Sequence, residues 1–511
     1  MNKAIKNFQA LGLIALFFVL FSCNSNSKKE KGAQLYQDQC ARCHIAPDIN
    51  HLPKEFWTKS ILPEMAARMG IKDGGFKPYD KMDFEEMEII HNSGIYPFMP
   101  SLNDQDWALL KAYILEMAPD SLAPIIHDKE TFEQQLFKVS MFSIDETPGS
   151  YFTYLSYKKE NNSIHTGDIS GQLIQYEFET KNSQVLKKSD NAVVGFTDLD
   201  SISFLTDIGI LDPSELSSGK VIAYHNDAEK VIIDSLHRPV YNEVRDLNGD
   251  GTKEMLVSEF GHLTGKLSLM ILGPSGNYEK KVLLSQPGTI RTEIKDLNND
   301  GKLDIVALTS QGDESITFLY QQDNLVFRNE KVLRFSPIYG SSWFEILDYD
   351  GDGDDDIITV NGDNADKTYI HKPYHGLRIH LNDGENNFKE AFFFPLNGAT
   401  RFVSNDFDQD GDIDFSIIST FPDYENKPEY SLIYLENKNE QLFDFEVQTI
   451  KEANDSRWFL LDIGDVDKDG DMDIIFSAFT YVFTPVPPSI SEKWNTTNAD
   501  IMILENTLIK N

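Results

Sequence analysis

The sequence predicts a chain of two domains, a small all-α domain followed by a large all-β ring of seven four-stranded units. Two observations predict it. A Cys40-x-x-Cys43-His44 motif sits among helix-like segments near the N-terminus. Five Asp-rich loops then begin at residues 246, 296, 348, 406 and 465, each between strand-like runs. Their intervals of 50, 52, 58 and 59 residues suit one four-stranded sheet with its turns.

The first 22 residues read as an export address. Lys3 and Lys6 precede an apolar run, and Leu20-Phe21-Ser22-Cys23 closes it. The run is too short to span ~30 Å of hydrocarbon as a helix. The cysteine at the break resembles the bacterial lipobox, which implies cleavage before Cys23, diacylation of its sulfur and attachment to a membrane. Residues 23–31 read as a polar tether. The expected location is exported and lipid-anchored, on the periplasmic side of the outer membrane, with the cell surface as the alternative.

Composition narrows the function. The chain has 511 residues and a net charge of −36. That charge opposes a nucleic-acid partner. Hydrophobic residues make up 41% and aromatics 12%, which excludes a disordered polyanion. There are three cysteines, and Cys23, Cys40 and Cys43 account for all of them.

Residues 32–120 form the first expected domain. Residues 32–39 look helical and run into the cysteine pair. The C-x-x-C-H spacing is that of covalent c-type haem attachment, with the histidine as an iron ligand. A zinc or redox site is the alternative. A second axial ligand is sought among Met65, Met69, Met82, Met87, Met99 and Met117, with His51 and His91 as nitrogen donors. Met99 is chosen because Pro97 and Pro100 hold it in a loop. Met65, Met87 and Met117 are expected in the core. Asn103 is the expected N-cap of a helix whose stripe is Trp107, Leu110, Tyr113 and Ile114. Gly32, Leu35-Tyr36, the haem motif, Met99-Pro100 and this helix together resemble class I cytochrome c over residues 31–118. The resemblance implies haem c, iron bound by His44 and Met99, and a crossing of the first and last helices at the glycine and aromatic positions.

Residues 128–511 form the expected ring. The loop residues are Asp246, Asn248, Asp250 and Glu254; Asp296, Asn298, Asp300 and Asp304; Asp348, Asp350, Asp352 and Asp356; Asp406, Asp408, Asp410 and Asp414; and Asp465, Asp467, Asp469 and Asp473. Oxygen side chains at positions 1, 3, 5 and 9, with glycine at 6, suit a hard cation such as calcium. Solvated turns are the alternative. The strand-like flanks and the lack of a glutamate at position 12 argue against an EF-hand. Two degenerate copies, at Asp198-Leu-Asp200 and at Asp145 after the strand-like 136–142, bring the count to seven; six is the alternative if the first is a cap. A closed β-propeller results, which removes exposed sheet edges. The loops resemble FG-GAP/VCBS-type repeats, which implies a binding or scaffold module with structural calcium.

The second turns lengthen in the last three blades. They carry Tyr369, Tyr374 and His375 in the fifth, Tyr424 in the sixth, and Tyr481 and Trp494 in the seventh. These are expected to build one aromatic ligand face, or else to pack on one another or cover the haem domain. Arg291, Arg401 and Arg457, near the starts of first strands, could hold an anion at the channel mouth or pair with carboxylates. The functional expectation is single-electron transfer through haem, with a propeller that binds a redox partner protein or a ligand. The alternatives are a haem-coupled dehydrogenase acting on a propeller-bound carbohydrate or alcohol, and a glycan- or protein-binding surface lipoprotein.

Overall fold

The computed structural model describes residues 27–509, apart from 128, 147, 200, 226–227, 364–368 and 440–442. Cys23 and the signal residues 1–22 lie outside the described residues. Two compact units divide between Leu122 and Ala123.

The first unit is helical. Helix α1 covers residues 27–40, so it begins inside the expected tether, whose Lys28, Lys29, Glu30 and Lys31 are good helix formers. A 3-10 turn (Ile49–His51) precedes α2 (Lys54–Phe56), which passes through a π turn (Trp57–Ile61) into α3 (Leu62–Arg68). Helix α4 (Phe84–Ser93) is capped by Asp83, which accepts from the Glu86 amide, and ends at Gly94 in the left-handed region. Helix α5 (Asp104–Met117) is capped by Asn103 and buries Trp107, Leu110 and Ile114. Gly32 lets α1 approach α5, because a Cβ there would lie 2.6 Å from the Tyr113 Cβ. The Tyr36 and Tyr113 rings meet at 6.3 Å. The helix crossing at glycine and aromatic positions is therefore present.

The second unit is a seven-bladed propeller. Two short N-terminal strands, β1 (Thr131–Glu133) and β2 (Phe137–Phe142), precede the first blade. Blade 1 is β3 (Phe152–Lys158), β4 (Ser163–Asp168), β5 (Gln172–Glu177) and β6 (Asn182–Lys188). Blade 2 is β7 (Val193–Leu199), β8 (Ile202–Asp207), β9 (Gly219–His225) and β10 (Ala228–Leu236). Blade 3 is β11 (Pro239–Arg245), β12 (Glu254–Glu259), β13 (Lys266–Leu272) and β14 (Tyr278–Leu284). Blade 4 is β15 (Thr289–Lys295), β16 (Asp304–Thr309), β17 (Ser315–Asp323) and β18 (Val326–Arg334). Blade 5 is β19 (Ser341–Leu347), β20 (Asp356–Asn361), β21 (Gly376–Asn382) and β22 (Phe388–Pro395). Blade 6 is β23 (Ala399–Asn405), β24 (Asp414–Ser419), β25 (Leu432–Asn437) and β26 (Phe445–Thr449), with β1 added in parallel as a fifth strand. Blade 7 is β27 (Trp458–Gly464), β28 (Asp473–Ala478) and β29 (Ile501–Asn506), completed by β2.

The ring closes through that last pairing. Strand β2 is antiparallel to β29, with Phe137 opposite Asn506 and Phe142 opposite Ile501. The count of seven holds, but the expected first unit does not. Residues 136–142 supply the outer strand of blade 7, and Asp145 follows that strand rather than opening a blade. Blade 1 turns between its first two strands over residues 159–162, which carry no Asp-rich pattern. Asp198 lies in β7, and Asp200 is outside the described residues.

The first strands neighbour one another around the axis, from β3 through β27 and back to β3. Each second strand lies between adjacent blades on both faces. Strands β12, β16, β20, β24 and β28 are accordingly buried at every residue.

Candidate functional site

Cys40 closes α1, and Cys43 and His44 lie in the turn that follows. Cys40 is half-buried and Cys43 exposed. Burial pushes the Cys40 thiol up to about 12. His44 Nδ1 lies 2.8 Å from the Ile45 carbonyl. A carbonyl can only accept, so Nδ1 carries the proton and Nε2 keeps its lone pair for a metal. Met99 and Phe98 are both 83% exposed. Their loop is fixed from below: a Cβ on Gly70 would lie 2.5 Å from the Met99 carbonyl oxygen, and the Ser101 amide donates to Met69 at 2.9 Å. Met65, Met69, Met82 and Met87 are half-buried and His91 is exposed. Met117, expected in the core, is 38% exposed because it is the last residue of α5. Two thiols, an imidazole of fixed tautomer and a thioether on a braced loop fit a covalently attached haem.

The Asp-rich loops join first to second strands in blades 3 to 7. Position 6 is left-handed in each, from Gly301 at φ +82° to Gly411 at +104°. Position 4 is left-handed too, at Gly249, Asn299, Gly351, Gln409 and Lys468, which the sequence pattern did not flag. The position-1 carboxylate accepts from amides within its own loop, as Asp406 does from Asp410 and Gly411, both at 3.1 Å. The position-5 carboxylates do the same with position 7: Asp352 accepts from Asp354 at 3.0 Å and Asp469 from Asp471 at 3.2 Å. Three carboxylates converge in each of the last three loops, with ligand atoms within 4.8 Å of one another. They are Asp348, Asp350 and Asp356; Asp406, Asp408 and Asp410; and Asp465, Asp467 and Asp473. Asp246, Asp250 and Glu254, and Asp296, Asp300 and Asp304, form no such group among the described residues; their third positions are Asn248 and Asn298.

Position 9 has a second task that its spacing did not reveal. Its carboxylate is buried and accepts the position-2 amide of its own loop, from Glu254 with Leu247 at 3.0 Å to Asp473 with Val466 at 2.7 Å. In blades 4 to 7 it also accepts an amide at the end of the third strand, as Asp414 does from Asn437 at 2.8 Å. Asp414 further accepts from the Tyr434 hydroxyl at 2.6 Å and stays outside the converging group of its loop. Burial pushes Asp356 up to about 6, and Asp414 and Asp473 up to about 7.

The loops also clip adjacent blades together. Gln321 donates to the Leu247 carbonyl at 2.9 Å, Asn386 to Leu297 at 3.1 Å, Asn506 to Phe407 at 2.8 Å and Asn162 to Val466 at 2.9 Å. Between blades 6 and 5, Asn437 donates instead to the Tyr349 hydroxyl at 3.0 Å.

The expected aromatic face is not open. Trp494, His375 and Tyr374 are buried, at 1%, 0% and 6% exposure. Tyr374 stacks on Tyr339, and Trp494 meets Tyr424 edge-on at 5.9 Å. Arg457 explains the second cluster. It is buried, donates to the carbonyls of Tyr481 and Thr420 and to Thr484, and lies 4.2 Å over Phe483. It ties the loops of blades 6 and 7 together. Arg378, which sequence reasoning missed, does the same in blade 5, donating to Asn361 and to the Tyr374 carbonyl at 2.8 and 2.7 Å. Its signal was an arginine in a strand of otherwise core-forming residues. Tyr369 and Tyr481 remain exposed, at 52% and 55%. A small cleft on this face is lined by His127, His371, Asp423, Lys427 and Tyr430.

Residues 29–118 match the family model for cytochrome c. Residues 296–359 and 406–476 match the model for the FG-GAP-like repeat. No curated protein matches the chain. Similar solved structures include the Pan2 WD40 domain of Neurospora crassa, 11% identical, covering 74% of this chain and 99% of that one with a TM-score of 0.43. Sqt1 of Saccharomyces cerevisiae is 10% identical, with coverages of 73% and 100% and a TM-score of 0.41.

Proposed function

We propose that this chain, a cytochrome c domain followed by a seven-bladed propeller of FG-GAP-like repeats, is an exported, lipid-anchored carrier of single electrons. The observation that carries the reading is the Cys40-x-x-Cys43-His44 motif at the end of a helix that packs on α5, with His44 Nδ1 tied to the Ile45 carbonyl. Haem bound there supplies one-electron redox chemistry. The protein's part is to hold it: Cys40 and Cys43 as thioethers, His44 through Nε2 and Met99 through sulfur. Cys23 anchors the chain to a bacterial membrane, with the periplasmic side of the outer membrane as the assigned leaflet. Calcium in the Asp-rich loops stiffens the propeller, which binds a redox partner protein. The net charge of −36 favours a partner with a basic face, and its association should weaken as salt rises.

The test is spectroscopic. Purified protein should show a haem absorption that survives acidic acetone extraction, titrating with one electron. Cys43→Ser with Cys40→Ser should lose it. Met99→Ala should keep the covalent haem but lower the potential and admit an exogenous ligand; an unchanged potential would remove Met99 from the iron. Reduction of the haem by a carbohydrate or alcohol alone, under anaerobic conditions, would favour the dehydrogenase instead.

A further inference from the structure

The first strands of all seven blades share one irregularity. Each slips register between its first and third residues, which aligns Tyr154, Gly195, Tyr241, Arg291, Trp343, Arg401 and Leu460 around the axis. Two residues further on, one pleat deeper, come Ser156, Thr197, Glu243, Glu293, Glu345, Val403 and Asp462. The channel therefore carries two arginines in one layer and four carboxylates in the next. The arginine layer is nearer the face of the long second turns, because each first strand starts on that face.

The carboxylates are all engaged. Glu293 pairs with Arg291 at 2.8 Å. Glu243 accepts from Thr292 at 2.7 Å, and Glu345 accepts from the Ser404 hydroxyl. Asp462 accepts the amides of Tyr157 and Ile463 at 2.8 and 2.9 Å. None reaches Arg401. Its guanidinium lies 4.3 Å over the Trp343 ring, and Arg291 lies 3.9 Å over the same ring. Among the described residues Arg401 makes no hydrogen bond or ion pair. Buried Arg291 Nε and Trp343 Nε1 also lack an acceptor. This layer thus holds donors in excess, and an acceptor-only ligand would satisfy them.

We infer that the axial channel binds a small monocarboxylate at Arg401, beside Trp343 and Arg291. The planar fork of a guanidinium matches a carboxylate in two parallel hydrogen bonds. Arg291 is already paired with Glu293, so the layer is left with one uncompensated positive charge, on Arg401, which matches a single negative charge. Burial and the neighbouring Arg291 push Arg401 down to about 10, the strain expected of a cation with no counter-charge. The inference is independent of the haem.

The experiment is calorimetric titration of the calcium-loaded, full-length holoprotein with acetate at pH 7 and low salt, with chloride and phosphate as comparators. One saturable site per chain is expected. Arg401→Gln should weaken it at least tenfold, and Arg401→Lys by less, since an ammonium keeps the charge but loses the fork. Acetate should also change the fluorescence of the wild type, and Trp343→Phe, which loses one donor of the site, should remove that change and weaken the heat by less than Arg401→Gln does. Heat that never saturates in the wild type overturns the site, whatever the variants do. Equal affinity in a folded Arg401→Gln, or a fluorescence response retained in Trp343→Phe, overturns its location. Phosphate binding tighter than acetate overturns the monocarboxylate assignment.

Discussion

Single residues in this propeller are under two opposing demands, backbone geometry in the Asp-rich loops and charge burial in the channel. Gln409 sits at φ +58° and Gly411 at +104° in one loop. A left-handed conformation costs a residue with a Cβ about 1–2 kcal/mol. Nothing lies within 4 Å of a Cβ built on Gly411, so Gly411→Ala should lose about that amount through the backbone alone. Gln409→Gly should gain about 0.5–1 kcal/mol, since glycine's extra chain entropy offsets part of the relief. Denaturant midpoints at saturating calcium check both, and a destabilised Gln409→Gly would show that position 4 is not strained. Glu345 carries the second demand. Burial first, then nearby Glu293, pushes its carboxyl up to about 7 from 4.5, against the pull of Arg291 and the Ser404 hydroxyl. The folded protein therefore holds a proton that the unfolded chain has released between about pH 4.5 and 7, so stability from this group falls as pH rises through that window. In calcium-saturated protein, Glu345→Gln should flatten the decline in melting temperature between pH 5 and 8. Parallel curves for the variant and the wild type would exclude Glu345 as a contributor.

Among the elements, what the sequence revealed depended on whether a signal was local. The five Asp-rich loops were legible because glycine and carboxylates must fall at fixed spacing to turn the chain. Helix α5 was legible from its cap and apolar stripe. Strand β2 was not, because its partner β29 lies more than 350 residues away and nothing in residues 137–142 distinguishes a closing strand from a blade's own. Blade 1 was missed for the opposite reason: its turn at 159–162 is tight and needs no acidic pattern. The aromatic loops left two readings open because aromatic residues read alike in a core and on a binding face, and Arg457 and Arg378, as buried anchors, decide for packing. The two N-terminal strands make a contrast that can be measured. Phe137 on β2 is buried against Phe407 and Tyr434 of blade 6, with ring centroids at 5.8 and 5.2 Å. Phe132 on β1 is 44% exposed. Phe137→Ala should cost about 3–5 kcal/mol and Phe132→Ala within about 0.5 kcal/mol. Equal losses in thermal melts would mean that the fifth strand of blade 6 holds the ring as firmly as the closing strand of blade 7.

At the scale of the whole molecule, the converging carboxylates and the clips between blades are one system. Each of the last three loops gathers three carboxylates within 4.8 Å, and like charges at such range repel strongly even near a protein surface. The same loops present position-2 groups to the next blade: Tyr349 to Asn437, Phe407 to Asn506 and Val466 to Asn162. A loop that springs open for want of a counter-charge thus releases its neighbour as well. The weakening should spread around blades 5, 6, 7 and 1 rather than stay local. A cation at 100 times its dissociation constant adds about 2.7 kcal/mol per site. Three such sites would make calcium a large share of a domain's usual 5–15 kcal/mol. Calorimetry of the holoprotein with excess calcium and with a chelator should therefore show the propeller's transition moved to much lower temperature and made less cooperative. The haem absorption gives a control in the same sample, because its ligands lie in the other compact unit and should report an unmoved transition. Magnesium should restore less than calcium, since its small octahedral shell suits these wide, carboxylate-rich loops poorly. A propeller transition indifferent to the chelator would leave the loops as self-capped turns, held by the amide bonds that positions 1, 5 and 9 already accept.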